Sequence, residues 1–188
     1  MSARIPLWPT VLVGIAILIM IALGFWQLDR RDEKEAMIAA YRAVPADAPP
    51  VVFPQDEADY PQALYRRSEV VCDRVLSARS TAARDRRYNS GLAQVARCAL
   101  AGGGTTEIHL GWTARPQPVD WEGGAIAGKI APAGDGVKLV ADPPAFGLAR
   151  LRQPDPGELP NNHLAYAGQW FLFALSALVI YVLVLRKR

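Results

Sequence analysis

The last apolar segment of the chain opens with a polar cluster that contains a histidine: Pro160-Asn161-Asn162-His163-Leu164-Ala165-Tyr166-Ala167-Gly168-Gln169-Trp170-Phe171. No residue from Leu164 to Leu185 is charged. These 22 residues, at about 1.5 Å of rise each, are long enough to span a hydrocarbon core of roughly 30 Å. The segment therefore predicts a transmembrane helix over residues 164–185.

The first turn of this helix carries the residues of chemical interest. Asn162 is a suitable N-cap, and His163 then shares one helix face with residues at spacings of three, four and seven: Tyr166, Ala167 and Trp170. The positive end of the helix dipole disfavours imidazolium and favours a neutral ring, whose lone pair binds a metal or accepts a hydrogen bond. The alternative is an interfacial histidine that anchors or caps the helix beside an aromatic belt.

A second apolar run lies at the beginning of the chain. Residues 5–28 are uncharged, and the prolines, the glycines and Gln27 within them are tolerated in a membrane helix. A secretory signal peptide is the competing interpretation because Arg4 precedes the run, but the run is long and has no small-residue cleavage site at its end. Trp26 is typical of an interface anchor. We therefore predict two transmembrane helices that flank residues 29–162.

Basic residues at the ends of the two spans predict their orientation. Arg186, Lys187 and Arg188 directly follow the second span, which places the C-terminus in the cytoplasm. The basic residues after the first span outnumber those before it and alone would argue the reverse. They alternate with acids, however, and a long central segment translocates largely regardless of charge. Two spans then place both termini in the cytoplasm and residues 29–162 on the other side of the membrane.

The net positive charge of the chain comes from the basic residues near its two termini. The 188 residues include 21 basic and 18 acidic ones, a net charge of +3. Outside Arg4 and the three terminal basic residues, the chain holds 17 basic and 18 acidic residues. Because the basic residues of the central segment are mixed with acids and form no face interleaved with aromatic residues, we expect no nucleic-acid partner.

The central segment is predicted to form one compact antiparallel β domain. Residues 29–41 continue the first span as a helix, and a proline-rich tether follows over residues 44–61. Alternating apolar residues then predict four short strands, at residues 68–72, 92–98, 106–112 and 125–130. The predicted fold class is therefore an α+β membrane protein, with two transmembrane helices flanking a β-rich extracytoplasmic domain.

The second histidine of the chain, His109, lies in the third predicted strand. Ile108, Leu110 and Trp112 alternate inward there, so His109 is expected on the opposite face, exposed to solvent. The sequence contains no Gly-rich phosphate loop, Cys-x-x-Cys pair, His-x-x-x-His pair or nucleophile elbow. We therefore expect a protein that is not an enzyme.

Cys72 and Cys98 both lie in the extracytoplasmic domain, on two different predicted strands. In an oxidising compartment this placement favours a structural disulfide. Two buried free thiols are one alternative. A copper pair is another, but it would need a neighbouring Met or His that the local sequence lacks.

The inner ends of the two apolar segments resemble the signature motifs of the Surfeit locus protein 1 family. The first motif is Gly24-Phe25-Trp26-Gln27-Leu28-Asp29-Arg30, and the second is Pro160-Asn161-Asn162-His163-Leu164-Ala165-Tyr166-Ala167 with Trp170-Phe171. Tyr65-Arg66-Arg67 and Gly111-Trp112 are weaker echoes between them. Where family members carry Asn-Arg before Gly-Trp, this chain has His109-Leu110.

The resemblance implies a two-pass assembly factor of cytochrome c oxidase, of the bacterial type, in the cell inner membrane with a periplasmic central domain. Its partners would be the largest oxidase subunit, other assembly factors and membrane lipid. The alternative is a scaffold without a cofactor, which stabilises partly assembled oxidase by protein contacts and uses the same motifs to pack the two spans together.

The resemblance also implies a cofactor, since some members are thought to bind haem a. The histidine of the second motif, here His163, would be the axial ligand of the haem iron. Ala167 and Trp170 would offer apolar surfaces, and Arg30 would offer a cation, if the two spans pack with Trp26 facing them. The other motif positions would serve helix packing or partner contacts: Gln27, Asn161, Asn162 and Tyr166.

Overall fold

The computed structural model describes residues 6–117 and 119–187. Ile5, with which the first predicted span begins, lies outside the described residues. The same is true of Arg4 and Arg188, which were used to predict the orientation of the chain in the membrane.

The described chain forms three α-helices and six strands in two compact units. The helical unit comprises the described residues up to Ala40 and from Glu158 onward, and the β unit comprises Tyr41–Gly157. In chain order the elements are α1 (Leu7–Arg42), β1 (Val51–Val52), α2 (Tyr60–Ala63), β2 (Arg67–Arg84), β3 (Ser90–Leu100), β4 (Thr105–Thr113), β5 (Gly124–Ala133), β6 (Gly136–Ala141) and α3 (His163–Arg186).

The two long helices are each long and apolar enough to cross a membrane. Only 6% of the most apolar stretch of each is buried, so their apolar side chains lie on the outside, unlike those of the core helix of a soluble protein. α1 joins the first predicted span to its predicted helical continuation without a break. In that continuation Arg31 Nε donates to Glu35 Oε1 at 2.8 Å, one helical turn away.

The strands of the β unit close into a barrel. β2 pairs through its first part with β5 and through its second part with β3, and the pairings β3–β4, β4–β6 and β6–β5 complete a ring of five strands. β1 adds to the start of β2. The β1–β2 and β4–β6 pairings are parallel. The sheet is therefore mixed rather than purely antiparallel, and the predicted class, two membrane-type helices flanking a β-rich domain, is confirmed.

Apolar residues from all five barrel strands fill the interior. The largest fully buried side chains include Ile108, Ile130 and Leu139, which come from β4, β5 and β6. Ala131 and Val140, which follow Ile130 and Leu139, point the other way. They form a second cluster with Ala93 and Val95 of β3, and Leu151 closes it. Both faces of the central strands are thus partly covered, which gives a domain of this size two small cores.

A β-bulge overturns one detail of the predicted pattern. Val95 pairs with His109 while Gln94 pairs with Gly111, so Leu110 is an extra residue in β4. Beyond Leu110, the side chains of β4 point to the opposite faces from those that strict alternation predicts. Trp112 consequently packs in the second cluster and not beside Ile108 in the interior, so the expectation that all three apolar residues of this strand point inward is wrong.

Cys72 and Cys98 form a disulfide between β2 and β3, with their Cα atoms 5.4 Å apart. Both cysteines lie in the barrel interior, exposed to only 2% and 0%. The bridge closes a chain segment of 26 residues. It therefore fixes the two longest strands of the barrel to one another at the level of the core.

Candidate functional site

The site begins at the start of α3. Asn162 occupies the predicted N-cap position, but its side chain is exposed and makes no cap hydrogen bond. Its carbonyl oxygen accepts from the backbone N–H of Tyr166 at 3.2 Å, which makes His163 the first helical residue. The imidazole is thereby placed in the first turn, as the sequence predicted.

A single hydrogen bond joins the two sequence motifs. His163 Nδ1 lies 2.7 Å from Oε1 of Gln27, which belongs to α1. Because an amide oxygen only accepts, Nδ1 carries the proton. In the neutral ring Nε2 then keeps its lone pair, and the position of the ring is fixed by its partner. The sequence marked Gln27 as a motif residue, but its role as the partner of His163 comes only from the structure.

Close packing of the two helices continues below this bond. Gly24 of α1 is buried, and a Cβ there would lie 2.5 Å from the ring of Phe171. The Phe171 ring also meets Phe25 edge-on, at 5.4 Å between centroids. A side chain at position 24 would displace this ring, so glycine is what allows the close approach.

The opposite ends of the same helices are also joined. Thr10 Oγ1 donates to Pro6 O at 2.7 Å, so the Tyr181 hydroxyl donates the hydrogen bond that it shares with Thr10. The contacts at Gln27 and Thr10 are separated by about 26 Å of helix, close to the thickness of a hydrocarbon core. The helices therefore run antiparallel and are in contact near both ends of the apolar length.

The predicted ligand face is only partly accessible. Ala167 is 1% exposed, so it packs within the helical unit instead of offering surface to a ligand. Trp170 is half-buried, with its ring 6.3 Å from that of Phe173. Tyr166 is 49% exposed. Of the face predicted from spacing, His163, Tyr166 and Trp170 remain available.

Arg30 does not have the surroundings on which its predicted role depended. That role required Trp26 to face the second span, but α1 packs through Gly24 and Gln27, and Trp26 is 49% exposed. The Arg30 guanidinium lies over the Trp26 ring at 5.8 Å and 2.8 Å from Glu33. It is thus paired along its own helix.

An unpaired acceptor lies two residues before the histidine. Asn161 Oδ1 is buried and has no hydrogen-bond partner among the described residues. A buried oxygen without a partner is costly, so Asn161, two residues before His163 in the chain, can accept a hydrogen bond from a bound group. No group of three or more His, Cys, Asp or Glu residues that could hold a metal ion occurs within residues 6–117 and 119–187. Metal binding at this end of α3 would therefore depend on His163.

His109 differs from the sequence-based expectation. It lies on the face opposite Ile108, as predicted, but it is half-buried instead of solvated. Burial, and then the charge of Lys138, lower the pKa of His109 to about 4. The neighbouring Glu107 accepts two hydrogen bonds from Arg79, at 2.8 and 3.0 Å, which lower the pKa of this carboxyl. His109 is therefore a neutral side chain of the barrel wall.

The chain thus has two candidate membrane spans that flank a β-barrel domain, and a hydrogen bond between His163 and Gln27 joins its two sequence motifs. The model of the SURF1 family, the Surfeit locus protein 1 family that the two motifs resemble, matches residues 14–175, which is most of the chain. The chain therefore belongs to the SURF1 family. No individual curated protein matches it. The family is associated with the assembly of cytochrome c oxidase and is not known as catalytic.

Proposed function

We propose that this protein assists the insertion of haem a into the largest subunit of cytochrome c oxidase, with His163 as the ligand of the haem iron. The observation that carries the proposal is the hydrogen bond from His163 Nδ1 to Gln27. Metal-binding histidines characteristically donate their second ring N–H to an oxygen acceptor, which fixes the tautomer and raises the basicity of the ligating nitrogen.

The residues present fit such a group. The donor set is one imidazole whose Nε2 has no hydrogen-bond partner among residues 6–117 and 119–187, and Trp170 offers a half-buried apolar ring two turns along the same helix. Haem a, when bound, supplies an iron that accepts a nitrogen ligand and an intense Soret absorption. The chain itself orients the His163 ring through Gln27 and presents this ring at the end of an apolar helix.

The basic residues at the end of α3 add a membrane orientation to the proposal. Arg186 ends α3, and Lys187 follows it, so the end of this helix belongs on the cytoplasmic side. His163 would then lie at the periplasmic border of the inner membrane, and the barrel in the periplasm. The partners there would be the largest oxidase subunit and other assembly factors, consistent with the role of the family.

A cofactor-free scaffold is the second candidate, and the same contacts support it. Gln27, Gly24 and Thr10 of α1 all meet α3, so the motif residues have a packing function without any ligand. With this function the protein stabilises partly assembled oxidase through protein contacts alone. The two functions differ in what is expected of the purified protein.

The absorption spectrum of the protein, purified in detergent from cells that make haem a, separates the candidates. The haem proposal predicts a Soret band that disappears in His163→Ala and persists in Asn162→Ala, an exposed neighbour without a side-chain hydrogen bond. Gln27→Ala should weaken haem binding by about 10–100-fold, because it removes the group that orients the ligand. If the wild-type protein has no Soret band, the haem proposal is excluded and the cofactor-free scaffold remains.

A further inference from the structure

The β unit contains a cavity of about 380 Å³. Tyr41 and Arg42 from the last turn of α1 form one side of it, and the segment after α1 forms the next through Val44, Pro45, Ala46 and Ala48. The remainder is closed by residues 65–67 at the start of β2, by Gly128 and Lys129 of β5, and by Asp142, Gln153 and Pro156. These residues all belong to the β unit, so the cavity is a feature of this unit alone.

The wall of the cavity is strongly basic. Four cations line it, Arg42, Arg66, Arg67 and Lys129. Among the described residues of this wall the one acidic residue is Asp142, and its carboxylate lies 3.5 Å from Arg150, which is outside the wall. Since the chain outside its termini is almost neutral, this concentration of positive charge is local to the cavity.

The two half-buried cations have uncharged partners. Arg66 Nη2 donates to the backbone oxygen of Pro49 at 3.2 Å, and Lys129 Nζ donates to that of Pro154 at 3.2 Å. A backbone carbonyl orients a cation but carries no net charge. Clefts with walls of one sign concentrate counter-ions, so the arrangement favours an anion.

An aromatic pair completes the wall. The rings of Tyr41 and Tyr65 lie 5.0 Å apart, and Tyr65 is held at a φ of 64°, in the left-handed region that residues other than glycine rarely adopt. Strained backbone of this kind persists where the surrounding structure fixes it, and often at binding sites. The Tyr41–Tyr65 pair thus forms an aromatic side of the cavity, next to Arg42 and Arg66 in the chain.

From these observations we propose that the cavity binds a phosphate group, held by Arg66 and Lys129 inside and by Arg42 and Arg67 at the rim. Guanidinium groups present paired N–H donors that match phosphate oxygens, and a phosphate can use several of them at once. The group can come from an anionic phospholipid head group or from a soluble phosphate. This site is additional to the function proposed for His163.

Isothermal titration calorimetry on the full chain in neutral detergent tests the proposal. The probes are inorganic phosphate and dihexanoylphosphatidylglycerol, a short-chain phospholipid. Arg66→Gln with Lys129→Gln should weaken binding of the preferred probe about tenfold or more, because each removes a charge-assisted hydrogen bond. The matched control is Arg74→Gln with Arg115→Gln, which removes the same charge from two exposed residues outside the wall.

Tighter binding of the lipid identifies a head-group site, and tighter binding of inorganic phosphate identifies a soluble ligand; both support the proposal. If the inner double variant does not fold, Arg42→Gln at the exposed rim replaces it, with an expected loss of about threefold. No binding of either probe to the wild-type protein, or an equal loss in the control, would overturn it.

Discussion

His163 and Gln27 are 136 residues apart in the chain, yet one hydrogen bond of 2.7 Å joins them. Hydrogen bonds between membrane helices contribute only about 0.6 kcal/mol on average. The helix pair also has the Gly24–Phe171 packing and the Thr10–Tyr181 contact, so it does not depend on this bond. The main consequence of the bond is therefore the orientation of the imidazole, which leaves Nε2 available.

His109 makes the β unit sensitive to acid. Its pKa of about 4 lies below the usual value of 6.5, so between these values the unfolded chain binds more protons than the folded one. The contribution of the neutral His109 to the unfolding free energy is then fully present above pH 6.5 and decreases as the pH falls towards 4. The loss is at most about 3 kcal/mol; partial exposure of the ring and the charge of Glu107 reduce it, whereas the charges of Lys138 and Arg79 act in the opposite direction.

Chemical denaturation of the protein at several pH values between 7 and 4 measures this effect. We expect His109→Gln, which keeps the size and polarity of the side chain but cannot titrate, to show a smaller loss of unfolding free energy over this range. Parallel curves for the two proteins would show that His109 is not the responsible group.

The sequence predicted the existence of most elements but not how they face one another. The four predicted strands lie within β2, β3, β4 and β5. The second half of β2 was missed because it is exposed on both sides, and without a buried face the alternation of apolar residues disappears. The bulge at Leu110 turns Trp112 to the opposite face of β4, because one extra residue inverts the in–out alternation of the side chains that follow it. The alternation of apolar residues in the sequence does not reveal such a bulge.

The packed face of α1 was unpredictable for a related reason. A membrane helix is apolar all round, so its contact surface is marked by small residues instead of by polarity. Gly24 is such a residue, and it is buried against α3, whereas a Cβ added at Gly14 would have no neighbour within 4 Å among the described residues. The sequence marked His163 and Gln27 as motif residues, but it did not predict that the two side chains would pair.

Gly24→Val should destabilise the helix pair by about 1–3 kcal/mol, because the new side chain collides with the Phe171 ring. Gly14→Val provides the control, since it adds the same side chain to the same helix in open space. Thermal unfolding in detergent, followed by circular dichroism, compares the two. Equal midpoints would mean that the contact at Gly24 does not stabilise the pair.

The whole chain combines a pair of membrane-type helices with a disulfide-bridged barrel, and membership of the SURF1 family connects this architecture with oxidase assembly. The barrel carries the disulfide and the basic cavity, and the helices carry the motif residues. Both termini of the described chain belong to the helical unit. If both helices span the membrane, the barrel between them lies on one side of it, and the basic residues at the end of the chain predict the periplasmic side.

Alkaline phosphatase fusions check this topology, because the enzyme is active only outside the cytoplasm. An insertion at Gly103, in the exposed turn between β3 and β4, should be active, and a fusion after Arg188 should be inactive. The reverse pattern would place the barrel in the cytoplasm and exclude a periplasmic position for His163.

His163 is expected to act on oxidase assembly through its ring and not through the fold. The haem a absorption of membranes tests this role, in cells whose only copy of this protein is wild type, His163→Ala or Gln169→Ala, at equal protein levels. We expect several-fold less spectrally complete oxidase in His163→Ala, and no change in Gln169→Ala, an exposed position on the same helix outside the motif. Equal oxidase absorption in all three membranes would contradict the role proposed for His163.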